Sequence, residues 1–140
     1  TTKDVSWYSD AMVKVINAMK KNYPNASFLL ISISDRSTKI NGQYQTMQTI
    51  PMMVEAQREI AKRSKIAFWD LYSAMGGENS MITLVDNTPP LANKDYTHLN
   101  SIGGKKIANI FVETLLYDLG KYNEKKNYTA INDSNLLIRK

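Results

Sequence analysis

The sequence predicts an α/β domain of three-layer αβα build, a doubly wound parallel sheet that is incomplete within this chain. Three observations carry this reading. Two short apolar runs rich in β-formers lie at 28–34 and 66–71, a helix-length segment with a periodic apolar face separates them, and further amphipathic segments precede the first run and follow the second.

The first helix is expected over 4–23, where Trp7, Ala11, Val15, Met19 and Tyr23 recur every four positions, flanked by Tyr8, Met12 and Ile16, with lysines and asparagines opposite. Pro24 and Asn25 stop it. The run FLLISIS (28–34) then reads as a strand buried in a parallel sheet. A polar loop is expected over 35–48. Pro51 fits the first turn of a second helix that runs to about residue 64 with Met53, Ala56, Ile60 and Ala61 inward. IAFWDL (66–71) gives the second strand, and a loop spans 76–94. Ser101 is the expected cap of a third amphipathic helix showing Ile107, Ala108, Phe111, Leu115 and Leu119 on one face.

The order αβαβα implies a right-handed crossover between parallel strands. Two strands that are apolar on both faces leave unpaired edges, and sheets of independent stability usually have three or more strands. Further strands are therefore expected from outside the sequence, which opens at Thr1. Residues 1–120 read as one domain that is incomplete within this sequence, a span that the resemblance described below implies is a C-terminal half, and 121–140 as a polar extension ending in NLLIRK. An Asn127-Tyr128-Thr129 triplet matches a glycosylation sequon, a pattern that also arises by chance.

Composition narrows the chemistry. With no cysteine, the chain has no disulfide, thiol nucleophile or thiolate metal site. A single histidine leaves only carboxylates as further ligands, which argues against a metal centre, and no cofactor is called for. The net charge of +5 comes from lysines spread through every segment without an aromatic-studded basic stripe, so no nucleic-acid partner is expected. No apolar run approaches the ~18 residues that read as a membrane span.

His98 is that one histidine, three residues after Asp95 in the loop entering the last helix (KDYTHLNSIGGKKIA). An Asp at this separation can accept a hydrogen bond from Nδ1, fix the tautomer and leave Nε2 free to take a proton from a nucleophile. On spacing alone, a surface histidine beside an acid is the commoner meaning. Location adds weight, because sites in open α/β sheets lie beyond the carboxyl ends of the strands.

The stretch DYTHLNSIGGKKIA resembles the last sequence block of the SGNH (GDSL-type) serine hydrolases, in which an Asp and a His three residues apart precede the C-terminal helix. FWDLYSAMGG, NTPPLA and SISDRS are also similar to bacterial acylhydrolases and acetylesterases of that family. The resemblance covers roughly residues 4–119. It implies a flavodoxin-like fold and a serine ester hydrolase that removes O-acyl groups, foremost acetyl, from a carbohydrate or similar small ester. In that enzyme His98 would act as general base and then acid, Asp95 would orient it, and no cofactor would be needed. An exported or periplasmic location is likewise implied by resemblance alone. The family's serine, and the Gly and Asn of its oxyanion hole, belong to blocks absent from this sequence, so the partner required is the upstream half of the same domain.

Local serines are weak substitutes. Ser32, Ser34 and Ser37 lie in or after the first strand, but SISDRS has no glycine to permit a nucleophile elbow. Arg36 could meet an anionic substrate group, although a solvated arginine is the simpler reading. Asp70 suits the cap of the following turn, and Gly76-Gly77 a turn. Trp69, Met75 and Met81 suit core positions before pocket walls. The rival to an esterase fragment is a non-catalytic binding or assembly module that recruits a partner through its open sheet edge.

Overall fold

The computed structural model describes residues 5–137, with side chains through residue 126. The sequon at residues 127–129 lies outside the described side chains, as do residues 138–140 at the end of NLLIRK. Two compact units divide the chain, Thr1–Gly103 and Gly104–Lys140.

In the first unit the order is α1 (Ser6–Asn22), β1 (Leu29–Ile31), β2 (Ser37–Ile40), β3 (Gln43–Thr46), α2 (Thr49–Ser64), β4 (Ala67–Trp69), α3 (Leu71–Met75) and α4 (Ser80–Asp86). Strands β1 and β4 pair in parallel, with Leu29, Leu30 and Ile31 opposite Ala67, Phe68 and Trp69. This is the small parallel sheet of an α/β fold, reached through the crossover helix α2, which packs on both strands. Leu29 and Ile31 remain 41% and 44% exposed, so one face of β1 has only partial cover.

Helix α2 buries Ile50, Val54, Ala56, Gln57, Ile60, Ala61 and Ser64. It ends at Lys65, whose left-handed backbone (φ 51°) lets its amide bond the Ala61 and Lys62 carbonyls. Helix α1 packs on α2. The four-residue stripe expected to mark its apolar face is not the buried one. Trp7, Val15, Met19 and Tyr23 are exposed, whereas Ser9 and Ile16 are buried and Tyr8 and Met12 half-buried. Polar anchors explain the rotation: Gln57 Nε2 donates to the Tyr8 hydroxyl at 3.3 Å, Arg63 pairs with Asp10 at 2.7 Å, and Lys20 Nζ donates to the Ser64 carbonyl at 2.8 Å.

Two expected loops hold regular structure. Within 35–48, β2 and β3 form an antiparallel hairpin in register Ser37 to Thr46, Thr38 to Gln45, Lys39 to Tyr44 and Ile40 to Gln43. Its turn is Asn41-Gly42, both at positive φ (51° and 83°), the backbone that two-residue hairpin turns demand. Within 76–94, α4 supplies Met81 (0% exposed), Leu84 and Val85 to the core beside Ile60 (0%), Leu91 and Ala92. Gly76 and Gly77 make the turn before it at φ 117° and 76°.

Helix α5 (Ser101–Leu137) begins in the first unit and continues into the second. It passes residue 120 without a break. Its cap is Asn100 rather than Ser101: Asn100 Oδ1 accepts from the amides of Ile102 and Gly103, both at 3.0 Å. Along this helix Leu115 and Leu119 are exposed while Ile107 is buried and Phe111 half-buried.

Candidate functional site

The turn bearing Asp95 and His98 is closed by its own backbone. The Asn93 amide donates to the His98 carbonyl at 2.8 Å, Ala92 and Leu99 form an antiparallel bridge, and the Asn100 amide donates to the Leu91 carbonyl at 3.1 Å. Gly103 lets the next helix start close by, because a Cβ there would overlap the Leu91 carbonyl oxygen.

Inside this turn the Asp95 carboxylate is a hub. Oδ1 accepts from the amides of Thr97 (2.9 Å) and His98 (3.0 Å), and Oδ2 meets His98 Nδ1 at 2.8 Å. The His98 side chain, followed by those two amides, holds the Asp95 carboxyl well below its ordinary value of 3.8, at about 2. At neutral pH the carboxylate can only accept, so Nδ1 donates, and a neutral imidazole then carries its lone pair on Nε2. With 72% of the His98 side chain exposed, that nitrogen is open to a reactant.

The turn stands on the carboxyl side of the parallel pair. Beyond the end of β1 the chain runs through Ser32 to Ser37, and the Ser37 amide donates to the Tyr96 carbonyl at 3.0 Å. Tyr96 has a left-handed backbone (φ 55°) and stacks its ring on Tyr44 of the hairpin, centroids 3.6 Å apart at 15°. The pair is open to solvent in this chain: the Asp95 side chain is 49% exposed. A cavity of about 650 Å³ lies elsewhere, lined by Val5, Ser6, Ser9, Met52, Glu55, Ala56 and Glu59 between α1 and α2.

Of the other residues singled out in the sequence, Ser32, Asp70, Met75 and Met81 have structural duties. Ser32 is 3% exposed, and its Oγ accepts from the Tyr72 amide at 3.1 Å and contacts Asp70 at 3.4 Å. Ser37 is buried, Ser34 half-buried, and Arg36 exposed. Asp70 caps α3: Oδ1 accepts from the Ser73 amide at 3.0 Å, Oδ2 accepts from Ser73 Oγ at 2.9 Å, and Arg58 pairs with it. Burial pushes the Asp70 carboxyl up, but the Ser73 amide and hydroxyl and the Arg58 guanidinium outweigh it and hold the group below the ordinary carboxylate value. Met75 and Met81 are core, and Trp69 is half-buried. Among the described residues, no three His, Cys, Asp or Glu side chains gather as a metal site, and no helix is long and apolar enough to cross a membrane.

Sequence reasoning passed over Asp35. It is fully buried, and its carboxylate accepts from the Arg36 amide (2.8 Å), Thr46 Oγ1 (2.8 Å), Ser80 Oγ (3.3 Å) and the Met81 amide (2.8 Å). Three segments meet on this one side chain: the exit from β1, the hairpin and the start of α4.

No family model matches this chain, and no curated protein sequence matches it. A solved structure of a peptidoglycan O-acetylesterase does match it in fold, with a TM-score of 0.76 and 19% sequence identity. The alignment covers 86% of this chain and 34% of that one, so the chain spans about a third of the length of the protein it matches. At this identity the likeness extends to the fold alone: this chain shares its α/β architecture with part of that structure.

Proposed function

We propose that this chain is the Asp-and-His-bearing portion of a serine ester hydrolase of the SGNH kind. Residues 1–120 would be the C-terminal half of a doubly wound, flavodoxin-like αβα domain, and 121–140 an extension of it. One observation carries the reading: in a turn on the carboxyl side of a parallel strand pair, the Asp95 carboxylate holds His98 Nδ1 at 2.8 Å and leaves Nε2 open. The fold likeness to a peptidoglycan O-acetylesterase supports the reaction class. The substrate proposed is an O-acylated, foremost O-acetylated, carbohydrate such as the glycan of peptidoglycan, or a similar small ester.

In the mechanism, a serine hydroxyl contributed by the upstream half of the domain attacks the ester carbonyl while His98 Nε2 takes its proton. The imidazolium, stabilised by Asp95, then returns that proton to the leaving alcohol. Water enters, is deprotonated by the same nitrogen, and releases acetate from the serine. Asp95 keeps its negative charge throughout, consistent with a carboxyl held at about 2.

The test is acetate release from an O-acetylated glycan by a chain extended upstream through its serine-bearing half. Removing one member of such a cooperating set typically lowers the rate by about a millionfold, so His98→Ala in the extended chain is expected to abolish turnover. The chain of 140 residues alone is expected to show no phosphonate-sensitive turnover. Full activity of the extended chain without His98 would overturn the role given to His98, whereas no hydrolysis by the extended chain would favour a non-catalytic assembly module.

A further inference from the structure

We propose that the β2–β3 hairpin is a clamp that sets the orientation of His98, with Tyr44 as a positioning residue acting through Tyr96. The use of that orientation rests on the esterase reading, whereas the clamp itself rests on geometry alone.

At 72% exposure the imidazole gains little from packing, so its direction depends on the turn that carries it. That turn contains Tyr96 at φ 55°, a backbone region that residues with a Cβ adopt only when their surroundings hold them there. Three contacts do so. The Tyr96 amide donates to the Asn93 carbonyl at 3.1 Å, its carbonyl accepts from the Ser37 amide at 3.0 Å, and its ring lies flat on Tyr44. Two of the three come from the hairpin, Ser37 from β2 and Tyr44 from β3. Lys39, paired with Tyr44 across the ladder, places its ammonium 5.2 Å from the Tyr44 ring centre and limits that ring's freedom.

The hairpin is itself anchored at its base. Asp35 accepts from Thr46 Oγ1 and the Arg36 amide, Asn79 exchanges bonds with the Thr46 amide (3.1 Å) and hydroxyl (2.7 Å), and the Met47 amide donates to the Arg36 carbonyl at 2.8 Å. A continuous mechanical path therefore runs from the buried start of α4 through Asp35 and Thr46, along β3 to Tyr44, across the stack to Tyr96, and into the backbone between Asp95 and His98. The hairpin does not touch the reacting nitrogen. Its effect is to keep Nδ1 facing Asp95.

The single histidine makes this measurable. A free neutral imidazole favours the proton on Nε2, whereas the bond to Asp95 requires it on Nδ1, so the tautomer reports whether the pair is held. Nitrogen-15 NMR of the neutral His98 ring is recorded for the chain, for Tyr44→Phe, Tyr44→Ala and Tyr96→Gly, and for Asp95→Asn as the released reference. Tyr44→Phe keeps the stack and is expected to keep the Nδ1–H form. Tyr44→Ala is expected to lower the Nδ1–H share by at least about twofold, toward the Asp95→Asn value. Tyr96→Gly removes the ring while relieving the positive-φ strain, and is expected to do the same even where Tyr44→Ala also lowers the melting temperature. An unchanged tautomer in both Tyr44→Ala and Tyr96→Gly would overturn the clamp. A locked tautomer without hydrolysis in the upstream-extended chain would overturn the esterase reading and leave the clamp standing.

Discussion

Asp35 and Asp95 are both carboxylates that accept several hydrogen bonds, yet their surroundings give them opposite work. Asp35 is fully buried, and its partners are the Arg36 and Met81 amides and the Thr46 and Ser80 hydroxyls. Asp95 is half exposed, and it faces two amides of its own turn and a titratable imidazole. Burial converts the first into a structural junction, since a charge taken out of water must be saturated by donors fixed in place. The second is exposed and bonded to an imidazole, so its loss is expected to change the tautomer of His98 more than the stability of the fold.

The largest expected effect is on stability at Asp35. Asp35→Ala strips four donors of their acceptor, the Met81 amide and Ser80 and Thr46 hydroxyls among them, and is expected to destabilise the chain by about 3 kcal/mol. Asp95→Ala, whose lost partners can bond water instead, is expected to produce only a small fraction of that change. Denaturant unfolding of both variants measures the contrast, and comparable losses would mean that Asp95 is a structural junction as well.

A smaller effect comes with pH. Because the folded-state value of Asp95 lies near 2, below its ordinary 3.8, its contribution to stability is complete above the ordinary value and is lost as pH falls through the folded one. Melting curves of the chain and of Asp95→Asn are expected to differ above pH 3.8 and to converge as the pH falls from there toward 2. The gap is also expected to shrink with added salt, since the pair is exposed. A gap that widens in acid would contradict the pairing.

These two aspartates also separate what the sequence made legible from what it did not. Asp95 and His98 are three residues apart, so a local turn is enough to bring them together and their spacing was informative. Asp35 finds Thr46 at a separation of 11 residues and Met81 at 46, and no local pattern encodes partners that distant. The parallel pair was readable because Leu29, Leu30, Ile31 and Phe68 are continuous apolar runs. The hairpin was obscured by its composition: STKI and QYQT are mostly polar, so the run resembled a loop, although Asn41-Gly42 between them is a strong hairpin signal. In α1 the apolar stripe was visible but pointed the wrong way, because Tyr8, Asp10 and Lys20 make the bonds that set the rotation of the helix. Tyr44 could not be connected to His98 from sequence, since that link exists only once the hairpin and the positive-φ turn have both formed.

The central claim is that His98, oriented by Asp95, activates a serine carried upstream. It is tested most directly by the rate at which a fluorophosphonate labels that serine in the upstream-extended chain, compared with the same chain carrying His98→Ala. General-base assistance of this kind is worth about a hundredfold to ten-thousandfold, so labelling is expected to slow by at least about a hundredfold, with the melting temperature unchanged. Equal labelling rates with and without His98 would contradict the account.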